Sequence, residues 1–441
     1  MKILVWNFFD NYGDFITKEL KKKHLIYRVN FLDKKNLAYK LLNIEFLVKN
    51  FDEKKFDKKK FFFKIYNNNK ENWFNAVHSR GLYKNVSFFQ LSTILKAQIL
   101  TIYQFLKTEK FTHLIITPYL SVGFDYLTYK ICRSLKIKTI IMQSIFRNRF
   151  FYTYNLNDWG SFNLSKNKFK IINNKDCLKR NKLFYMQDNF YLKTKFPIKI
   201  FFPNIFSFFL IKNIIYKIKN FKNNLNLYKF WKLNNKKKMI SLNPPKHYIY
   251  FALHFQAEAT TIALANDYLA QNRAIKKLHD SLPDNFKLII KEHPAQLDFY
   301  HRDEWFYKEL KYLNKVTFTN VNDDNFKLIK ESAAVATLTG TIGFEALREG
   351  KPVITFGLAW YNFLPGVFKW HKDLNIKKII KYEVNVDLIN SKMRLITKKM
   401  GNGVDSMDWS QASDFTSAYK KIDLDNNKES FITAHSIQKL L

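Results

Sequence analysis

The chain has 441 residues, of which 47% are hydrophobic and 17% aromatic, enough for packed cores and too apolar for a disordered protein. Its net charge of +37 is uneven: residues 1–240 carry +33 and residues 241–441 only +4, so the break near Lys236 marks a domain boundary and the first half is drawn to an anionic partner. Cys132 and Cys177 are its two cysteines; with no metal-ligand spacing around them, a disulfide scaffold and a zinc site are excluded and a reducing cytoplasm fits.

In chain order, Met1–Trp6 is too short and too soon interrupted by Asp10 and Asp14 for a signal peptide, and reads as a first strand. A loop and helix through about Lys23 follow. Asn11, Gly13 and Asp14 either face an interdomain cleft or form an ordinary turn. Residues 29–75 alternate short apolar runs with lysine clusters and predict further strands and a helix with a basic face. Ser87–Lys107 has helical periodicity. Thr112–Ile116 reads as a strand, Phe124–Leu135 as a helix and Lys138–Met142 as another strand, ending in a loop from Gln143 to Arg149. Asp125, the only carboxylate between Glu109 and Asp158, sits at a helix start. It serves either the helix dipole or the cleft, as acid or base. Arg147 and Arg149 either hold an anionic sugar or phosphate or lie on the surface.

In residues 196–232 prolines and lysines punctuate a dense apolar stretch. Its uninterrupted run, Ile205–Ile211, falls far short of the roughly 20 residues of a membrane span. It reads either as a helix on an anionic bilayer surface or as an aromatic-rich helical pair within the first domain. Residues 220–238 are a tether rich in Asn and Lys.

From Tyr248 to Tyr361 short apolar runs alternate with helical segments, which predicts a parallel sheet with helices on both faces. Tyr248–Leu253 leads into His254–Thr261 and a helix from about Thr261 to Leu282. Phe286–Ile290 leads into Lys291-Glu292-His293-Pro294. Ala334–Leu338 leads into Thr339-Gly340-Thr341 and a short helix through Arg348, then Pro352–Phe356. Ligands bind outside the carboxyl ends of such strands, so these loops converge on one crevice. His293 can hydrogen-bond a phosphate oxygen or protonate a leaving group, with Pro294 fixing its backbone and Lys291 adding a cation. Thr339, Gly340 and Thr341 at a helix start suit an anion such as a nucleotide phosphate. Glu345, Gln256 and Glu258 can bond ribose, base or sugar. Neither GxGxxG nor a Walker sequence is present, which excludes a Rossmann dehydrogenase and a P-loop ATPase. Residues 373–399 and Asp405–Lys421 read as helices, and the last 15 or so residues as a helix or a frayed tail.

The segments His254–Thr261, Lys291–Pro294, Thr339–Thr341 with Glu345-Ala346-Leu347, Gly350–Val353 and Phe356–Tyr361 together resemble the bacterial capsule and surface polysaccharide biosynthesis proteins. These are similar to Kdo- and sialyltransferase-like glycosyltransferases of the GT-B fold. The resemblance covers roughly residues 245–365 and implies two Rossmann-like domains facing a central cleft. It further implies a nucleotide-sugar donor, often CMP-activated, contacted by His293, Pro294, Thr339 and Thr341; with the loop readings above, the expected donor site is His254, Gln256, Glu258, Lys291, His293, Pro294, Thr339, Gly340, Thr341 and Glu345. The family's N-domain Glu-Asp-Gly-Phe loop is here Gln143-Ser144-Ile145-Phe146, without the carboxylate. Asp125 and Asp14 are the positional substitutes as catalytic acid or base, with Glu258 as the C-domain candidate.

The expectation is thus an α/β, GT-B-like chain: residues 1–235 on the acceptor side, 236–400 holding the donor, and 401–441 packing back on the first domain. It would transfer a Kdo- or sialic-acid-like sugar to a lipid-linked or growing glycan, with no metal or bound cofactor. It would work in the cytoplasm, peripheral on the anionic inner face of the membrane. A nucleotide-sugar epimerase, a polysaccharide pyruvyltransferase and a non-catalytic basic module are the alternatives. Nucleic acid is not expected, because the basic residues are mixed with long apolar stretches and no recognition motif occurs.

Overall fold

The structure is a computed structural model and describes residues 1–6, 11–29, 35–57, 59–79, 82–83, 86–116, 123–146, 149–160, 245, 247–256, 259–293, 296, 302, 304–321, 323–397, 399–403 and 426–441. The segment 196–232, the tether, the helix expected at 405–421, Arg147, Glu258 and Pro294 lie outside these residues.

The first unit begins with β1 (Lys2–Trp6), α1 (Asn11–Lys21) and β2 (Leu25–Arg28). A helical layer follows: α2 (Leu37–Leu42), α3 (Ile44–Asn50), α4 (Glu53–Asp57), α5 (Lys60–Ser79) and α6 (Phe88–Glu109). The chain then returns to the sheet with β3 (His113–Ile116), α7 (Phe124–Ser134), β4 (Lys138–Phe146) and β5 (Arg149–Thr153). The strands expected in residues 29–75 are absent among the described residues. In α5 the buried positions are Phe62, Ile65, Asn69, Trp73, Ala76 and Val77. That spacing of three to four is a helix face, so the apolar runs there line one stripe rather than a strand. The α6 start is a capping box, Ser87 and Gln90 each accepting the other's backbone N–H.

Strand β4 runs on through Phe146 and forms a hairpin with β5, which pairs antiparallel to it. The loop expected from Gln143 to Arg149 is therefore mostly strand. Arg149, expected at a cleft or on the surface, is buried in β5, where its guanidinium donates to Asn402.

The second unit contains β6 (Tyr248–Ala252), α8 (Ala259–Ile262), α9 (Gln271–Ser281), β7 (Lys287–Lys291), α10 (Glu304–Lys311), β8 (Val316–Phe318), α11 (Asn325–Glu331), β9 (Ala334–Thr337), α12 (Thr341–Arg348), β10 (Val353–Thr355), β11 (Val367–Lys369), α13 (Ile376–Ile379) and α14 (Val386–Thr397). The single helix expected over 261–282 is interrupted. The Leu264 carbonyl accepts the Leu358 N–H at 2.8 Å and a short 3-10 turn at Asn266–Tyr268 follows. The helix expected over 373–399 is likewise split into α13 and α14.

Among the described residues there are two six-stranded sheets. The second is parallel throughout, in the order β11-β10-β9-β6-β7-β8. The first has the order β12-β5-β4-β3-β1-β2, where β12 (Gly401–Asn402) pairs antiparallel with β5. A last helix, α15 (Asn426–Leu440), packs on α1. It seals the sheet face of Ile3, Val5, Ile140 and Phe150 with Ala434, Ile437 and Leu440. Burial of each such side chain stabilises by about 1.5–3 kcal/mol. Another apolar cluster runs from Leu4 and Trp73 of the first unit into Tyr250, Leu347 and Tyr361 of the second. Among the described residues no helix is long and apolar enough to cross a membrane.

Candidate functional site

In the second sheet β6 is flanked by β7 on one side and β9 on the other. The chain therefore reverses its direction of winding between β6 and β9, and a crevice opens outside the carboxyl ends of those two strands. The side chains expected to act lie on the loops that leave them.

His254 follows β6. Its backbone N–H donates to Gln271 Oε1 at 2.9 Å, and its carbonyl accepts from Gln271 Nε2 at 3.1 Å and from the Arg302 guanidinium. Across the crevice, the Thr339 N–H donates to His254 Nε2 at 3.1 Å. An Nε2 that accepts puts the ring proton on Nδ1, and Nδ1 is buried with no partner among the described residues. Burial foremost, reinforced by the positive charges of His293 and Arg302, holds the His254 pKa down to about 3. The ring is thus a neutral imidazole with one N–H to give.

Gly340 lies against that ring. A Cβ there would fall 2.8 Å from Thr337 Oγ1 and 3.1 Å from His254 Nε2, so a side chain would push the imidazole away. Gly340 is also the N-cap of α12, which begins without a side-chain cap. Its first N–H groups are left to meet an anion, with Thr341 half-buried beside them. The Tyr361 hydroxyl donates to the Gly340 carbonyl and lies where a Cβ on Gly343 would be, at 2.2 Å. The two glycines and Tyr361 therefore set the position of the helix start.

Gln256 exchanges hydrogen bonds with Gln296, through Gln256 N to Gln296 Oε1 at 2.8 Å and Gln296 Nε2 to Gln256 O at 3.1 Å. Its own Nε2 donates to Asn75 Oδ1 of α5 at 3.2 Å. Ala76 of α5 packs with Ile262 and Leu269, and Gly160 lies against the Ala359 carbonyl. The first unit thus closes over the carboxyl end of the second sheet.

The sequence reading missed Arg302. It grips Glu292 through Nε to Oε2 at 2.8 Å and Nη2 to Oε1 at 3.0 Å, while Nη1 donates to Gln256 Oε1 at 3.0 Å. Tyr307 donates to Glu292 Oε2 at 2.6 Å. Both charged side chains are nearly fully buried, at 3% and 4% exposure. Glu292 in the Lys-Glu-His-Pro motif is thereby the anchor of the loop. The available signal was a carboxylate next to an apolar strand, which calls for a cation.

Lys291 turns away from the crevice, its ammonium held by the Asp323 carbonyl and by Asn325 Oδ1 at 2.6 Å, and burial lowers its pKa to about 8. His293 stays beside the crevice with its ring 5.8 Å from Phe255, and burial lowers its pKa to about 4. Glu345 lies half-buried in α12, and its charge adds to burial in raising the Tyr250 and Tyr361 phenols.

The first-unit candidates have partners within their own unit. Asp14, in the first turn of α1, is 66% exposed and paired with Arg28 at the carboxyl end of β2. Asp125 is fully buried in the first turn of α7, where Oδ1 accepts the Tyr126 N–H at 2.7 Å, the helix-terminus role. Gln143 is half-buried and Ser144 buried within β4.

Among solved structures, the chain is similar to a β-Kdo 2,7 transferase, KpsC of Thermosulfurimonas dismutans. The identity is 12%, over 86% of this chain and 89% of that one, with a TM-score of 0.33. The β-Kdo 2,4 transferase of the same KpsC overlays at 11% identity over 68% and 87% with a TM-score of 0.32. The UDP-GlcNAc 2-epimerase of Methanocaldococcus jannaschii overlays at 13% over 90% and 99% with 0.25. No curated protein matches the chain. Residues 170–398, just over half of the sequence, match the family described as capsule polysaccharide biosynthesis protein. It is this match over the second unit, crevice included, by which the chain belongs to the capsule polysaccharide biosynthesis family.

Proposed function

We propose that the chain is a glycosyltransferase of surface-polysaccharide assembly, taking a Kdo- or sialic-acid-like sugar from a CMP-linked donor and passing it to a lipid-linked or growing glycan. The observation that carries this reading is the tie between Thr339 N–H and His254 Nε2 across the switch point. It leaves His254 Nδ1–H and the uncapped start of α12 on the same crevice, two donors suited to a phosphate oxygen. His293 is the neighbouring group for the leaving nucleotide. In the transfer an acceptor hydroxyl attacks the anomeric carbon, the bond from that carbon to the phosphate oxygen breaks, and the nucleotide leaves. The hydroxyl proton passes to a carboxylate. Asp14 is the exposed candidate in the first unit and Glu258 the candidate in the second. Asp125, already turned into its own helix, is the weaker of the first-unit pair.

The test is thermal stabilisation by CMP, CDP, UDP and GDP, measured on the wild type and on His293→Ala. CMP should stabilise the wild type most. The variant should lose about 1.5–3 kcal/mol of nucleotide affinity, the worth of a hydrogen bond to a charged group. Undiminished affinity in the variant would remove His293 from the donor site. With nucleotide sugars, release of nucleotide only when acceptor is present marks transfer. Interconversion of the sugar without acceptor would mark an epimerase instead.

A further inference from the structure

Among the described residues the first unit carries an exposed apolar face. Phe88 and Phe89, the first two residues of α6, are 63% and 82% exposed, and Phe63 on α5 is 37% exposed. They are not scattered singly. Phe88 stacks on Phe74 with ring centroids 5.0 Å apart and touches Phe89 at 6.2 Å. Phe63 and Phe74 are eleven residues apart on α5, three helical turns, and so share its outer stripe. The helix start does not require these rings: Val86 and Leu91, on either side of the Ser87 cap, already pack against the core in the staple positions.

The surroundings of the face are cationic. Helix α5 carries Lys60, Lys64 and Lys70 against one carboxylate, Glu71, and Lys60 and Lys64 are exposed beside Phe63. Exposed aromatic rings on a helix rimmed by lysines match the boundary of an anionic bilayer, where rings enter the acyl edge and ammonium groups meet headgroup phosphates. The same helix reaches the crevice one residue beyond Phe74, where Asn75 accepts from Gln256.

We infer that the outer face of α5 and the start of α6, centred on Phe88 and Phe89, docks the protein on an anionic lipid surface. Docking there brings the Phe74 end of α5, and with it Asn75, close to the bilayer, so that an acceptor held in the membrane is presented beside the crevice. The docking itself does not rest on the donor assignment: it is read by lipid binding alone, and a failed donor test leaves it standing.

The experiment is co-sedimentation of the full chain with vesicles of phosphatidylglycerol and phosphatidylcholine, against phosphatidylcholine alone, at low and high salt. The wild type should bind the anionic vesicles and be released by salt. The double variant Phe88→Ser, Phe89→Ser should bind at least about tenfold more weakly, since each ring loses its apolar transfer. The pair Lys60→Glu, Lys64→Glu should weaken binding at low salt only. Circular dichroism and thermal midpoints should be those of the wild type, because none of the four side chains is buried. Wild-type vesicle binding by the Phe88/Phe89 variant would overturn the assignment. So would a wild type that ignores anionic vesicles, including one that forms a dimer dispersed by the same substitutions, which would give the face to a second copy.

Discussion

His254 shows how one buried ring fixes two loops. It accepts the Thr339 N–H at Nε2, and its own proton is thereby committed to Nδ1. Its pKa in the folded chain, about 3, lies well below the ordinary 6.5. The unfolded chain therefore takes up this proton first as pH falls below about 6.5, and folded stability drops from there down toward the folded value. His293, held at about 4, acts in the same direction. In His254→Ala, urea denaturation at pH 7.5 should show a loss of about 1–3 kcal/mol from the missing hydrogen bond between Thr339 and the buried ring. Between pH 6.5 and 4 the variant should also lose stability less steeply than the wild type. An unchanged acid slope would assign that proton uptake elsewhere. The motif residues differed in legibility for a similar reason. His293 and Thr339 could be placed because strand ends are visible as the ends of apolar runs. The partner of Glu292 could not, because Arg302 stands ten residues away with no periodic pattern linking them.

Helix α12 owes its position to contacts with no local signature. Gly343 faces Tyr361, whose hydroxyl reaches the carbonyl of Gly340. Gly343→Ala should force the tyrosine aside and shift the helix start, costing about 1–3 kcal/mol as overpacking does. Nucleotide affinity should fall with it, although residue 343 is one turn from the crevice. In a Tyr361→Phe background the same substitution should cost less, because the atom nearest the new methyl is gone; equal costs in both backgrounds would show that the hydroxyl is not the obstacle. At this scale the second sheet was readable because its strands are buried on both faces and appear as short, continuous apolar runs. The helix at 261–282 was misread for the converse reason. Its periodicity is intact, but the Leu264 carbonyl is taken by Leu358 from almost a hundred residues away. The extension of β4 was equally hidden, since Arg149 is made burial-tolerant by Asn402.

The two units meet through Asn75 and Gln256 over the crevice; under the proposed transfer the second unit would hold the donor and the first would bring the acceptor. Asp14, at the carboxyl edge of the first sheet, is exposed and paired with Arg28. Asp14→Asn should lower turnover by roughly a hundredfold or more, the range a general base supplies, and leave nucleotide affinity unchanged. Full turnover in this variant would move the search to Glu258. The charge asymmetry suggested a division into two halves, and the return of the chain to its starting unit rests on contacts over some 400 residues.

That return has a consequence for how the molecule is made. Ile3, Val5, Ile16 and Leu20 are covered by Ala434, Ile437 and Leu440, and β5 is flanked by Gly401 and Asn402. A ribosome delivers the first unit's strands through β5 and then about 280 further residues before those covers exist. At about 5–20 residues per second that interval lasts on the order of 15 to 60 s. For all of it that face of the first sheet lacks the cover of α15, so the half that is translated first is completed last.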